Sequence, residues 1–391
     1  MAKVRRLDED RVAAVRRYHQ GESIRSIAAA LGHSRRWVYK WLARAATGTA
    51  TWATEGSRRP HKSPQAYDAE TVEAVRLVRL ELYNAGLLCG AQNIQWRLED
   101  LNVKPIPSRR TIDRILVREG LTHRRTGRYV AKGIPYPALP AVRPNQVHQV
   151  DYVGPCYLRG PVRFWSFHAV DVATVRCALE PVASRAGQST VDALWASWLR
   201  LGLPEAVQAD NEWVFYGSPA HPRGMGLLIR LCLPLGIEPW FIPLKEPWRN
   251  GVVERFNGHY ASKFLAAVDI PDGEALRPAS LAFEVRHNSR YRYARLHGQT
   301  PLAALAAHAQ ALCFPAEEWA PRVPLPKPTA GRYHVVRFIR SDLRLDVFGE
   351  RFRMPPEAEY SYVVATVDVE RERLTVQLGA DLITVLPYHL H

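Results

Sequence analysis

Apolar residues recur at helical spacing in three short runs between residues 8 and 45. "DEDRVAAVRRYHQG" opens on aspartate and closes on glycine. "SIRSIAAALG" sets Ile24, Ile27, Ala28 and Leu31 on one face and stops at Gly32. "SRRWVYKWLARA" begins with Ser34 as its N-cap and turns Val38, Trp41 and Leu42 inward. The spacing predicts three helices, the last two joined by a short turn containing glycine, which is the helix-turn-helix pattern. Arg35, Arg36, Tyr39 and Lys40 would then face outward from the third helix.

The pattern changes repeatedly after that. A polar linker rich in Thr, Ser, Gly and Pro covers 49–66, separating a first domain (1–48) from a second helical one (67–130). The second holds "AETVEAVRLVRLELYNAG", "NIQWRLEDLN" and "PSRRTIDRILVREG", and its last helix again opens on Ser-Arg-Arg, exposing Arg109, Arg110 and Arg114. A proline-rich linker (131–144) leads to alternating strands and helices over 145–310. There "QVHQVDYVGP", "RFWSFHAVDVA" and "RCALEPVA" read as strands, "GQSTVDALWASWLRLG" as a helix and "EAVQAD" as a further strand. Such an order predicts a mixed sheet with helices packed on it. Past a linker at 311–330, residues 331–391 read as short strands with turns between them, hence a small β-barrel. The fold class expected is therefore multidomain: N-terminal all-α helix-turn-helix modules, a central α/β core and a C-terminal β-barrel.

Charge narrows the partner. Residues 1–150 hold 27 Lys+Arg against 13 Asp+Glu, an excess of 14; residues 151–391 hold 26 against 25. Nearly all of the net +15 thus lies in the helical front of the chain, which points to a polyanion and most simply to double-stranded DNA. Arg35, Arg36, Tyr39 and Lys40 suit insertion into a major groove, as do Arg109, Arg110 and Arg114. Arg124, Arg125 and Arg128, in the connector, suit phosphate contacts. Five scattered cysteines without a C-x-x-C pair indicate neither a disulfide framework nor a zinc site. The start lacks an apolar signal core, and the most apolar window is broken by Arg230, Pro234 and Glu238. A cytoplasmic protein, nucleoid-associated and without a membrane role, is expected.

Three acids stand where reactive groups are displayed. Asp151 interrupts the first strand, Asp210 ends a later one, and Glu254 lies near the start of a helix in "NGVVERFNGHY". Magnesium binds a few carboxylates in an octahedral shell that keeps waters and phosphate oxygens. Two such ions can activate an attacking hydroxyl and stabilise the leaving oxygen.

"VHQVDYVG", "VQADNE" and "P…RNGVVERFNG", in this order, resemble the D-D-E transposases of the retroviral-integrase superfamily. "HNSRYRYARLHGQTPLAAL" is similar to the stretch that follows their catalytic helix. The nearest resemblance is to bacterial insertion-sequence transposases with N-terminal helix-turn-helix modules and a C-terminal β-barrel. It implies an RNase H-like core, two Mg2+ ions (with Mn2+ as an alternative), cleavage at element ends and strand transfer into target DNA. It further implies a homo-oligomer on DNA, with a helper ATPase as a further partner. The catalytic and metal-binding roles fall on Asp151, Asp210 and Glu254. The chain departs from the family in its long second spacing, in Ala261 where a basic residue is usual, with Lys263 as its substitute, and in lacking an N-terminal His/His/Cys/Cys zinc module.

Two glutamates compete for the third role. Glu246 has the family's usual spacing, with 35 residues after Asp210, whereas Glu254 has 43. Glu246 precedes Pro247, which favours an extended loop. Glu254 sits on a helix anchored by Val252, Val253 and Phe256, and a ligand needs rigid support. Glu254 is the choice, and the surplus residues belong to "WVFYGSPAHPRGMG". Trp248 and Arg249 are expected to meet DNA from the loop by stacking and phosphate pairing, joined by Arg255 and Lys263. Asn211 is expected to orient Asp210, Asp171 to serve a turn, and His148 and His168 to be core residues. The alternative function is a DNA-binding regulator or accessory protein with an inactive RNase H-like core; a nuclease for RNA–DNA hybrids is a third.

Overall fold

The computed structural model describes residues 2–54, 67–121, 135–158, 162–217, 220–221, 223–316 and 320–390, with side chains from residue 9 onward. It divides into two compact units, 1–66 and 67–391.

The first unit contains α1 (Ala2–His19), α2 (Ile24–Leu31) and α3 (Arg35–Ala45). Ser23 and Ser34 accept the backbone N–H groups of Ser26 and Trp37, satisfying donors left open at each helix start. Gly32 ends α2 at φ 70°, a conformation open to glycine at little steric cost. Ala14, Ile27, Ala28 and Val38 form the small core, and Trp41 is buried beneath the Arg11 guanidinium, 4.2 Å from its ring centroid. This is a helix-turn-helix arrangement with a three-residue turn.

The second unit begins with α4 (Ala69–Asn84), α5 (Ala91–Asp100) and α6 (Arg109–Arg118). Next come β1 (Val147–Tyr157), β2 (Arg163–Asp171), β3 (Cys177–Val182), α7 (Gly187–Leu201), β4 (Ala206–Ala209), α8 (Trp213–Tyr216) and α9 (Leu227–Cys232). They are followed by β5 (Glu238–Phe241), α10 (Gly251–Tyr260), α11 (Gly273–Arg290) and α12 (Pro301–Ala306). The chain closes with β6 (Arg332–Phe338), β7 (Arg344–Val347), β8 (Glu350–Arg353), β9 (Tyr362–Asp368), β10 (Arg373–Leu378) and β11 (Asp381–Pro387).

Nine strands form one sheet in the order β11-β10-β9-β6-β5-β4-β1-β2-β3, and β7 pairs with β8 alone. β1, β2 and β3 run antiparallel, whereas β4, β5 and β6 continue parallel from β1. The period of two along each strand sends alternate residues to opposite faces. Val150, Tyr152, Val207 and Ala209 join the core that contains α7 and α9. Phe164, Val170, Cys177 and Leu179 join a second core built on α10 and α11. α4–α6 pack into that same second core through Val75, Ile94, Ile112 and Leu116, and the Tyr291 hydroxyl donates to the Gly86 carbonyl at 2.8 Å.

Residues 331–391 were expected to close into a separate small β-barrel, and that expectation is corrected. β6 pairs with β5, β9–β11 extend the sheet from it, and no closed barrel forms among the described residues. Tyr333, Val335, Ala365 and Val376 share one core with Phe241 and Val207. Burial of apolar residues against an existing sheet satisfies both their surface and the edge of β5, so closure is not required.

The opposite edge is shut by side chains. Asn288 of α11 accepts the Cys177 N–H at 2.9 Å and donates to its carbonyl at 2.8 Å, in place of a neighbouring strand. Two residues on, Glu284 accepts the Leu179 N–H and Arg200 donates to the Leu179 carbonyl. A free edge would offer these groups to another chain.

Candidate active site

Gln-x-Asp occurs twice: Gln149–Asp151 within β1, and Gln208–Asp210 running from β4 to the residue just past its end. The strands are parallel neighbours with Gln149 in register with Gln208, so the aspartates two residues on emerge side by side. Because Val150, Tyr152, Val207 and Ala209 point to the α7 face, the four polar residues point to the α10 face.

The glutamines build the approach to Glu254. The Gln149 side-chain oxygen Oε1 accepts the N–H groups of Val252 and Val253 at 2.8 and 3.1 Å, capping the first turn of α10 from outside its own chain segment. Gln208 donates to the Arg249 carbonyl at 3.0 Å and to the Asn250 side chain at 3.3 Å. Buried Asn250 in turn donates to the Val150 carbonyl at 3.0 Å. Each strand that supplies an aspartate thereby also fixes the helix that supplies the glutamate. Gln149→Ala should cost about 1 kcal/mol of stability, as loss of a helix cap does. Urea unfolding of Gln149→Ala beside wild type would register that loss as a lower midpoint.

α10 returns a contact of its own. Asn257, one turn after Glu254, donates to Asp151 Oδ2 at 2.7 Å, while Asp151 Oδ1 accepts the Tyr152 N–H at 2.8 Å. With its amide group so engaged, the Asn257 oxygen accepts from His168 Nδ1 at 2.7 Å, which sets that imidazole as the Nδ1–H tautomer. Ser166 lies 2.9 Å from His168 Nε2. Burial holds His168 neutral, its pKa lowered to about 4.

The three acids feel one another. Burial, then the charges of Asp210 and Glu254, push Asp151 up to about 7. Burial and neighbouring Glu212 push Asp210 up to about 6, and Glu254 adds to it. Glu254, at the rim, is also raised, by desolvation. Such mutual repulsion is relieved by a bound cation. Among the described residues no three His, Cys, Asp or Glu side chains are drawn into a set that could hold a metal ion. The donor chemistry nonetheless fits a hard divalent cation, since all three are carboxylates that share one side of the sheet. Asp151 and Asp210 are each oriented by hydrogen bonds to backbone or amide groups.

Glu246 is engaged elsewhere: both its oxygens contact the Tyr362 hydroxyl, at 2.9 and 2.8 Å, and Oε2 accepts from Arg249 Nε at 2.9 Å. Arg249, expected to pair with phosphate, is thereby bound within the protein. Trp248 beside it is 59% exposed. Arg255 is exposed on α10, and the Lys263 ammonium lies 5.4 Å from the ring centroid of Tyr83 on α4. Arg35, Arg36, Tyr39 and Lys40 are exposed on α3, and Arg109, Arg110 and Arg114 on α6. Arg124, Arg125 and Arg128 lie outside the described residues.

The Asn211 side chain is engaged with other segments of the chain. It donates to the Ile242 carbonyl at 2.5 Å and accepts from Arg337 at 2.8 Å, which leaves Asp210 Oδ1 to the Glu212 N–H at 3.0 Å. Asp171 closes the turn after β2, accepting from Asn145, Ala173 and Thr174. Buried His148 contacts Asn145 at 3.0 Å. Gln149, Gln208, Asn250 and Asn257 were missed by sequence reading. The repeated Gln-x-Asp, and Glu254 and Asn257 at a spacing of three on one helix face, were the available signals.

The family of homeodomain-like domains matches residues 5–51. No curated protein matches the chain. Among solved structures it is similar to the HTLV-2 integrase catalytic core domain in complex with magnesium (trimeric form). The identity is 18% over 42% of this chain and 99% of that one, with a TM-score of 0.34. It is similar to the simian T-cell lymphotropic virus intasome in complex with PP2A regulatory subunit B56 gamma, at 13% identity over 80% of this chain and 96% of that one (TM-score 0.39). It is similar also to the catalytic core domain of BIV integrase, at 18% identity over 42% of this chain and 95% of that one (TM-score 0.32).

Proposed function

We propose that this protein is a metal-dependent DNA strand transferase of the transposase and integrase kind. The observation that supports the reading is that Asp151 lies on the sheet face that α10 packs against, with its pKa raised by burial and then by the charges of Asp210 and Glu254. The strand order β3-β2-β1-β4-β5, antiparallel then parallel, supports an RNase H-like core.

Asp151, Asp210 and Glu254 would hold two Mg2+ ions, which supply Lewis-acid activation of the attacking hydroxyl and stabilisation of the leaving oxygen. Asn257 and the Tyr152 N–H aim the Asp151 oxygens; the Glu212 N–H aims Asp210; Gln149 and Gln208 set the start of α10 and so place Glu254. Neutral His168 passes no charge to the site and locks the Asn257 amide in its donating orientation. The exposed cations of α3 and α6 would engage double-stranded DNA, with Trp248, Arg255 and Lys263 nearer the reacting phosphate.

The test is strand transfer of pre-cut DNA ends, taken from inverted repeats flanking the gene, into a plasmid. Product should form with Mg2+ or Mn2+ and vanish with EDTA. Specific DNA binding with no transfer under any divalent ion would replace this reading with that of a DNA-binding regulator.

A further inference from the structure

The loop that leads into α10 is tied to the C-terminal strands. The Tyr362 hydroxyl, at the start of β9, bridges the Glu246 carboxylate and Arg249 Nη2, the latter at 2.8 Å. Arg249 and Glu246 also pair directly. The Arg249 guanidinium lies 4.1 Å from the ring centroid of Tyr136 and 4.8 Å from that of Tyr362. Tyr136 meets Tyr362 edge-on at 5.2 Å, and Phe338 of β6 packs on Tyr362 at 5.0 Å. Side-chain exposure of Glu246 and Arg249 is only 17% and 22%, so the pair is withdrawn from bulk solvent.

This cluster sits just before the reacting helix. Asn250 follows Arg249 and is buried, Gly251 opens α10, and Glu254 lies one turn on. Gln208 grips the Arg249 carbonyl from β4 while Tyr362 grips its guanidinium from β9. The loop is therefore held from two strands of the same sheet, one on each side of β5. A carboxylate at a reacting centre tolerates little displacement, so support of this kind bears on rate more than on stability.

We propose that Tyr362 is a positioning residue for strand transfer: through Glu246 and Arg249 it fixes the loop ahead of α10, which makes the C-terminal strands a working part of the site. The reaction named here rests on the proposed function; the hold on the loop does not. Phenylalanine at 362 keeps the ring contacts with Tyr136 and Phe338 and removes only the bridging hydroxyl.

Full-length Tyr362→Phe protein is compared with wild type by hydrogen exchange of peptides covering 244–251 and by strand transfer at saturating DNA. Exchange in that stretch should accelerate, and turnover should fall about tenfold with KM for DNA within about twofold, the pattern of lost positioning rather than lost binding. Tyr362→Phe combined with Glu246→Gln should be no slower than the slower single variant, because both act through one contact. Wild-type exchange over 244–251, or wild-type turnover by an active enzyme, would overturn the proposal. Wild-type protein without strand transfer would sink the functional reading alone, and the exchange comparison would still decide whether Tyr362 holds the loop.

Discussion

Glu254→Gln should reduce strand transfer by about a thousandfold or more, whereas Glu246→Gln should fall no further than Tyr362→Phe. The first substitution keeps size and helix propensity but removes a negative charge that acts on Asp151 and Asp210. If the three acids hold two metal ions as proposed, losing one carboxylate forfeits several kcal/mol of charge stabilisation in the transition state, and each 1.36 kcal/mol is about tenfold in rate. Glu246 contributes to no such set, since its oxygens are taken by Tyr362 and Arg249. Timed strand-transfer assays of both variants, with Asp151→Asn as the reference for a dead site, separate the two glutamates. Equal, near-wild-type activity in Glu254→Gln would remove it from the site.

The largest effect on stability is expected at Arg200. Its guanidinium contacts Glu180 at 2.6 Å and Glu284 at 2.8 Å, two acids only 3% and 8% exposed. Arg200→Ala leaves Glu284 with the Leu179 N–H and Glu180 with the more exposed Arg277. Removing one partner of a buried pair costs about 3–5 kcal/mol, because the remaining charge has lost both water and counter-ion. The urea midpoint should fall accordingly with little change in slope. The pH dependence has a definite sign. Burial already raises the Glu284 pKa and Arg200 opposes that rise, so without Arg200 the carboxyl titrates higher still. A folded-state pKa above the unfolded one means that the folded protein binds more protons, and stability falls as pH rises through that interval. The deficit of Arg200→Ala should therefore be greatest near neutral pH and shrink as pH falls towards the ordinary glutamate range. A midpoint equal to wild type at pH 7 would show that this edge of β3 does not need the arginine.

Local signals made much of the architecture legible. Serine before an apolar helical period marked the starts of α2 and α3 and glycine the end of α2, since capping and a left-handed turn are properties of a few adjacent residues. Alternation marked β1 and β2, and the charge excess marked the helical front of the chain. The acids could be nominated because a carboxylate ending a strand or starting a helix is visible in sequence.

Other features depend on residues far apart in the chain. Whether β6 and β9–β11 close on themselves or extend the core sheet turns on which apolar surface they meet first, and short alternating strands read the same either way. Arg249, an exposed loop cation by sequence, is drawn inward by Glu246, Tyr362 and Tyr136, the last two more than a hundred residues away. Gln149 and Gln208 look like ordinary polar positions in buried strands until α10 arrives to use them. The sequence by itself determined the helices, the strands of the core and the three acids, because those follow from nearest neighbours and a fixed backbone period. Only the tertiary structure decided what holds the start of α10 and what engages Glu246, because hydrogen bonds and burial between distant segments exist only once the sheet has assembled.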